Sequence, residues 1–285
     1  MALQIDTRNP RHVRAEVESV SRRFFHEGDS ELVPCAFDWA TQCFTGKYAN
    51  YDPIDAGYHD FEHTLQGTLC LSRLLAGRQR ARARPALSQA DFENCVLAIL
   101  FHDTGYLKER SDRDGTGAKY TAVHVTRSCQ FAREFLAQQG MSEQRIAAIQ
   151  NTIRCTGINA DLEAIPFQSE QEKVVGFALG TADLLGQMAA ADYVEKLPVL
   201  FLEFVEGARY MPEWGNRYAA FKNAEEFVRN TPAFWENYVW PRLNEEFGRL
   251  YMFLNDPYPN GPNPYLRQVD RNLQRIRERN AAPHA

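Results

Sequence analysis

Residues 92–105 have the sequence FENCVLAILFHDTG, in which the apolar run 95–101 leads directly into His102 and Asp103. An apolar segment of this length that stops at Gly105 predicts a helix ending in a glycine cap. A helix that is apolar on all sides is buried, so its last residues lie in the core. Because a buried carboxylate is costly unless it is paired or bound to a metal, the sequence predicts a partner for Asp103.

The same signals of helix start and stop recur along the rest of the chain. Asn9-Pro10 and Ser169 are typical first residues of helices and precede apolar residues at helical spacing. Thr231-Pro232 predicts the start of a late aromatic helix. No segment shows the alternation of apolar and polar residues that a strand would give, and no repeat is evident. We therefore predict an all-α fold.

The predicted helices fall into three regions. Residues 1–57 form N-terminal helices that pack on the core, residues 58–192 form the core, and residues 193–285 form a C-terminal helical extension of the same globular unit. The aromatic segment 210–253 could line a pocket, pair two subunits or bury itself, and we expect the last of these. The sequence leaves open whether the protein is a homodimer.

Composition gives no support to several classes of function. The 285 residues are 44% hydrophobic and carry a formal net charge of −5, so there is no basic excess of the kind that nucleic-acid binding needs. No run approaches the roughly 18 apolar residues of a membrane span, and the N-terminus has no apolar signal core. The six cysteines include no Cys-x-x-Cys pair, which indicates reduced thiols. We expect a cytoplasmic protein with neither a membrane nor a nucleic-acid partner.

Histidines and acids are clustered in a way that indicates metal chemistry. Four of the seven histidines lie between positions 59 and 124, and Asp183 is a charged residue inside an otherwise apolar helical segment. Taken singly, each has an ordinary interpretation as a packed histidine or a helix-pairing carboxylate. One divalent ion would account for all of them together. Four side chains are the candidate ligands: His63, His102, Asp103 and Asp183.

These motifs resemble those of the HD-domain metal-dependent phosphohydrolase superfamily, over about residues 58–190. In that superfamily a histidine, a His-Asp pair and a distant aspartate lie on helices. The segment Tyr58–Thr64 and the segment Phe101–Gly105 are similar in particular to bacterial HD proteins related to the catalytic domain of cyclic-nucleotide phosphodiesterases. The resemblance implies an HD-domain helical bundle with additional N- and C-terminal helices, with the four candidate ligands holding the metal.

The resemblance also implies an activity: hydrolysis of a phosphate ester, a nucleotide or related phosphomonoester or phosphodiester, by metal-activated water. His59 would donate a proton to the leaving group, and Asp103 would serve the catalytic centre as a metal ligand. Neighbouring Asp60 is expected to raise the pKa of His59. The mixed ligand set suits Mn, Fe, Zn, Ni or Mg.

The sequence also bears on the number of metal ions. His124 matches the first of two further histidines that bind a second ion in binuclear members, but Cys155 and Thr156 stand where the second is expected. We expect one tightly bound ion, with His124 as a candidate ligand of a second. The sequence leaves open whether His124 faces the site or the helix surface.

Three basic side chains are candidates for binding the phosphate of the substrate: Lys108, Lys119 and Arg154. Each is also interpretable as an ordinary solvated charge.

Three alternatives remain open at this stage. His59-x-x-Glu62-His63 also fits an inverted zinc-protease motif, which leaves His102 and Asp183 unexplained. An HD-type di-iron oxygenase keeps the fold but needs the full histidine set. A catalytically weak nucleotide-sensing module would retain the ligands without turning the nucleotide over.

Overall fold

A computed structural model describes residues 5–28, 30–158, 160–212 and 221–281. Within these ranges the protein contains ten α-helices and no β-strand, which confirms the predicted all-α fold. The helices are α1 (Pro10–Phe24), α2 (Leu32–Phe44), α3 (Phe61–Arg80), α4 (Gln89–Phe101), α5 (His124–Gln138), α6 (Glu143–Arg154), α7 (Glu170–Met188), α8 (Tyr193–Tyr210), α9 (Ala224–Phe234) and α10 (Pro264–Ala281).

Several helices begin at the residues that the sequence predicts. Pro10 occupies the first turn of α1, and Asn9 caps it. Ser88 and Asp91 form a reciprocal capping box at the start of α4, and Ser169 accepts a hydrogen bond from the backbone of α7. These contacts satisfy N–H groups that the first helical turn leaves without partners.

The predicted start at Thr231-Pro232 is wrong. Helix α9 begins at Ala224, where Asn223 accepts a hydrogen bond from Glu226 N at 2.9 Å, and Pro232 lies inside the helix. Asn223 is the stronger cap because two acidic residues follow it in the first turn, where they interact favourably with the helix dipole. After α9 the chain continues through the wide helical turns Trp235–Val239 and Arg242–Glu246.

Three helices form the centre of the molecule. Helix α3 packs along α7 in the most extensive helix contact, and α4 packs against both. Every residue from Cys95 to Phe101 is buried, so α4 is enclosed on all sides as its sequence predicts. The mutual packing of these three helices brings the first turn of α3, the C-terminal end of α4 and the middle of α7 to one place.

Helices α8 and α9 pack on each other beside this centre, and α8 also contacts the short 3-10 helix Gly117–Tyr120. Among the described helices none is by itself long and apolar enough to cross a membrane; α7 and α8 meet that measure only as a pair, bent by 111°.

Candidate metal centre and adjoining cavity

Four side-chain atoms from three elements meet in the core. Nε2 of His63 lies 3.4 Å from Oδ2 of Asp103 and 3.3 Å from Oδ1 of Asp183, and Nε2 of His102 lies 3.2 Å and 3.4 Å from the same two oxygens. Ligands that surround one ion at about 2.1 Å are separated from their neighbours by roughly 3.0–3.5 Å. The structure therefore has a His/Asp cluster that could hold a metal ion, as the sequence predicts.

These atoms are buried without a satisfactory protein partner. Nε2 of His102, Oδ2 of Asp103 and Oδ1 of Asp183 have no hydrogen bond to any described residue. Nδ1 of His102 donates to the carbonyl oxygen of Ile99 at 2.7 Å, and a carbonyl can only accept. In the neutral ring Nε2 is then the atom with a free lone pair, which is the state that a metal ligand requires.

The charges of the cluster shift the pKa values of its members. Burial lowers the pKa of His102, but Asp103 and Asp183 outweigh it and raise that pKa from 6.5 to about 9. Burial raises the pKa of Asp183, yet the imidazoles of His102 and His63 hold it well below its usual range. Without a metal, the two carboxylates therefore favour the protonated form of His102.

His59 is oriented by a residue that the sequence did not identify. Oε2 of Glu203, on α8, lies 2.5 Å from Nδ1 of His59, while its other oxygen accepts hydrogen bonds from the backbone N–H groups of Tyr58 at 2.6 Å and His59 at 3.3 Å. Burial lowers the pKa of His59, but the carboxylate of Glu203 raises it above its ordinary value. The pair favours an imidazolium at position 59.

Aromatic stacking fixes the ring of His59 and brings His124 to the same site. Tyr106 stacks on His59 with the ring centroids 4.5 Å apart and on His124 at 4.8 Å, and the two histidine rings lie 6.1 Å from each other. Nδ1 of His124 bonds to the carbonyl of Thr121 at 2.7 Å, and its Nε2 lies 4.0 Å from Oδ1 of Asp103. His124 thus faces the cluster rather than the helix surface.

Asp60 does not have the predicted effect on His59. One of its oxygens caps α3 by accepting from His63 N at 2.8 Å, and the other pairs with Lys196 at 3.0 Å. The direction predicted for the pKa of His59 agrees with the structure, but Glu203 and the cluster carboxylates cause it.

Glu62 does not have the position that a zinc-protease base requires. Its carboxylate pairs with Lys196 at 3.6 Å and accepts from the hydroxyl of Thr7 at 3.2 Å. It is absent from the lining of the cavity beside the candidate metal ligands. The position of Glu62 therefore does not support the protease interpretation of this motif.

Of the three predicted phosphate-binding cations, the structure places one, Arg154, at the cavity beside the cluster. The ammonium of Lys108 bonds to the carbonyl of Gly115 and pairs with Asp55, and that of Lys119 lies 2.5 Å from Oδ1 of Asp112. Neither lysine lines the cavity beside the cluster, so we do not assign them to the substrate. Arg154 does line it, with Nη1 donating to the side chain of Asn151 at 2.5 Å.

A cavity of about 800 Å³ opens beside the cluster. His59, His63, Asp103 and Asp183 lie on one wall, while His102 is buried behind them. Part of the remaining wall comes from the aromatic segment that we expected to be merely buried. The aromatic residues that it contributes to the described lining are Phe221, Phe227, Phe234, Tyr238 and Phe247.

Glu203 and the aromatic wall were missed for different reasons. Glu203 interrupts the apolar stretch 197–205, which is the same signal that identified Asp183, so a second use of that argument would have found it. The wall had no comparable signal, because an aromatic residue that lines a cavity and one that packs in a core have the same sequence pattern.

Comparison with known proteins identifies the family. The sequence model of a family described as Npun_R2479-like matches residues 111–255, just over half of the chain, and the protein belongs to this family. The matched segment includes His124, Asp183 and Glu203, whereas His63 and His102 precede it. No curated protein matches the chain.

Proposed function

We propose that the protein is a metal-dependent phosphohydrolase of the HD type, with one divalent ion bound by His63, His102, Asp103 and Asp183. The observation that carries the proposal is the convergence of four ligand atoms at 3.2–3.4 Å, three of them buried without a hydrogen bond to any described residue. When bound there, a divalent ion would lower the pKa of a coordinated water and polarise a phosphoryl oxygen.

His59 is the proposed general acid. Glu203 occupies its Nδ1 atom, so a proton on Nε2 is available to an oxygen atom in the cavity that His59 lines. An acid whose pKa is held above the usual value of histidine keeps its proton to higher pH and can protonate a departing alkoxide. Stacking on Tyr106 keeps the ring in one orientation.

The remaining groups position a substrate. Arg154 is the proposed contact for the phosphate, because it is the one predicted cation that reaches the cavity lining. His124 has its Nε2 atom 4.0 Å from Oδ1 of Asp103 and would be the first ligand of a second, weaker ion.

The proposal is tested by loading the protein separately with Mn, Fe, Zn, Ni and Mg and measuring release of phosphate or alcohol from a panel of phosphate monoesters and diesters. We expect metal-dependent release from at least one ester. Nucleotide binding without release would favour the sensing module, and oxygen consumption by the iron-loaded protein would favour the di-iron oxygenase.

A further inference from the structure

We propose that the cavity beside the metal centre recognises a ligand with a single phosphate group and a bulky apolar body, such as a long-chain alkyl phosphate, and not a nucleoside polyphosphate. The inference rests on the proposed function for the position of the phosphate. The apolar character of the rest of the ligand is inferred from the side chains that line the cavity.

The walls away from the cluster are mainly apolar. A volume of about 800 Å³ is within the range of small-molecule sites and much larger than one phosphate group needs. Transfer of an aliphatic or aromatic group from water into such a space is favourable in proportion to the area buried. Helices α7, α8 and α9 contribute Leu184, Met188, Leu200, Phe204, Phe227 and Phe234.

The cavity has few positive charges to bind a chain of phosphates. In the described lining the permanently cationic side chains are Arg154 and Arg242. Arg242 is paired with Glu246 at 2.9 Å, and Asp161 adds a negative charge to the same lining. A polyphosphate would bring several charges into a space where they cannot be compensated, and burying an unpaired charge is costly.

A single phosphate is compatible with the charges at the cluster. The carboxylates of Asp103 and Asp183 would neutralise a divalent ion, and Glu203 pairs with His59. Arg154, whose hydrogen-bond partner Asn151 is neutral, adds one positive charge to the lining, which can balance one anionic head group but not a chain of phosphates. The cavity then has an ion-binding end and an apolar end, which is the pattern of a site for an amphiphile.

Isothermal titration of the Mn-loaded protein with butylphosphonate, octylphosphonate and a non-hydrolysable ATP analogue tests the inference. We expect roughly threefold tighter binding for each added methylene, hence about 100-fold from butyl to octyl. Equal affinity for the two phosphonates, or tighter binding of the ATP analogue than of octylphosphonate, would overturn it.

Two matched variants locate the apolar end. Phe234 is 36% exposed and lines the cavity, whereas Trp240 is 38% exposed and lies outside the lining. Phe234→Ser should reduce the ratio of octyl to butyl affinity at least threefold, and Trp240→Ser should leave it unchanged. Equal ratios in both variants and the wild type would contradict the assignment.

Hydrolysis assays with phenyl phosphate and octyl phosphate, compared with the phosphonate titrations, separate this inference from the proposed function. If phenyl phosphate is hydrolysed but phosphonate affinity does not depend on chain length, the proposed activity is supported and the proposed recognition of an apolar ligand is rejected. Steep chain-length dependence without hydrolysis of octyl phosphate would sustain the recognition and reject the activity.

Discussion

Gly67 on α3 and Gly186 on α7 bring the backbones of their helices into direct contact: a Cβ atom at position 186 would lie 2.8 Å from the Cα atom of Gly67. Gly67 is four residues beyond His63, and Gly186 is three residues beyond Asp183. The close approach of the two glycines therefore sets the distance between two of the proposed metal ligands.

Gly186→Ala should separate these helices. At an exposed helix position, replacing glycine by alanine stabilises a protein by about 1 kcal/mol. A loss of stability in Gly186→Ala would therefore show that the added methyl group disturbs the contact between the helices. We expect a loss of about 1–3 kcal/mol in the free energy of unfolding, measured with urea, and weaker metal binding. Lys173→Ala, an exposed change on the same helix, is the control. A Gly186→Ala protein as stable as the wild type would show that the contact between the two helices can accommodate a methyl group.

Removal of a ligand and removal of the proton donor should have different effects. His102→Ala and Asp103→Ala should lose both the metal and turnover. His59→Ala should keep the metal, measured by elemental analysis, and lose about 10²–10⁴-fold in turnover. Normal turnover in all three variants would reject the assignment of the site.

Glu203→Gln should leave metal content unchanged but shift the dependence of turnover on pH. Glu203 raises the pKa of His59, and the acid form of His59 is the one required, so activity should decline at a lower pH in the variant as pH rises. Glu206→Gln is the control, since Glu206 lies three residues further along α8 and binds Thr116 instead. An unshifted alkaline limb in the Glu203→Gln profile would argue that another group is the acid.

Metal binding should compete with protons at His102. Because its pKa in the metal-free protein is about 9, the ring must lose a proton when a metal binds, and apparent affinity should rise by up to about tenfold per unit between pH 6.5 and 8. Titrations at several pH values check this. Affinity that is independent of pH would place the metal elsewhere.

The same raised pKa predicts how stability of the metal-free protein depends on pH. Stabilisation from protonated His102 is complete below pH 6.5 and is lost as pH rises through about 9, a change of the order of 3 kcal/mol. The Tm of chelator-treated protein should fall over this range, and that of metal-loaded protein should fall less. An equal fall of Tm with pH in the metal-free and metal-loaded protein would contradict this prediction.

The sequence predicted those parts of the site that local signals determine. The apolar helix ending at His102 and Asp103, and the charge of Asp183 within another apolar helix, predicted burial and hence a shared partner. The fold class followed from caps such as Ser169 and Asn9. These features depend on a few neighbouring residues, so one sequence is enough to recognise them.

The parts that were missed depend on contacts between distant segments. Glu203 reaches His59 across 144 positions, and whether Lys119 faces a substrate or Asp112 depends on how a loop folds back. The start of α9 was misplaced because Thr231-Pro232 resembles a cap locally, although Asn223 provides one eight residues earlier. Tertiary packing chooses between such alternatives.

The central claim is that the side chains of His63, His102, Asp103 and Asp183 bind one metal ion. Anomalous diffraction from crystals of Mn- or Zn-loaded protein, recorded at the absorption edge of the metal, tests it most directly. We predict a single strong peak among Nε2 of both histidines, Oδ2 of Asp103 and Oδ1 of Asp183, at about 2.0–2.2 Å from each. The absence of a peak between these four atoms in metal-loaded crystals, or a strong peak only elsewhere, would contradict the account.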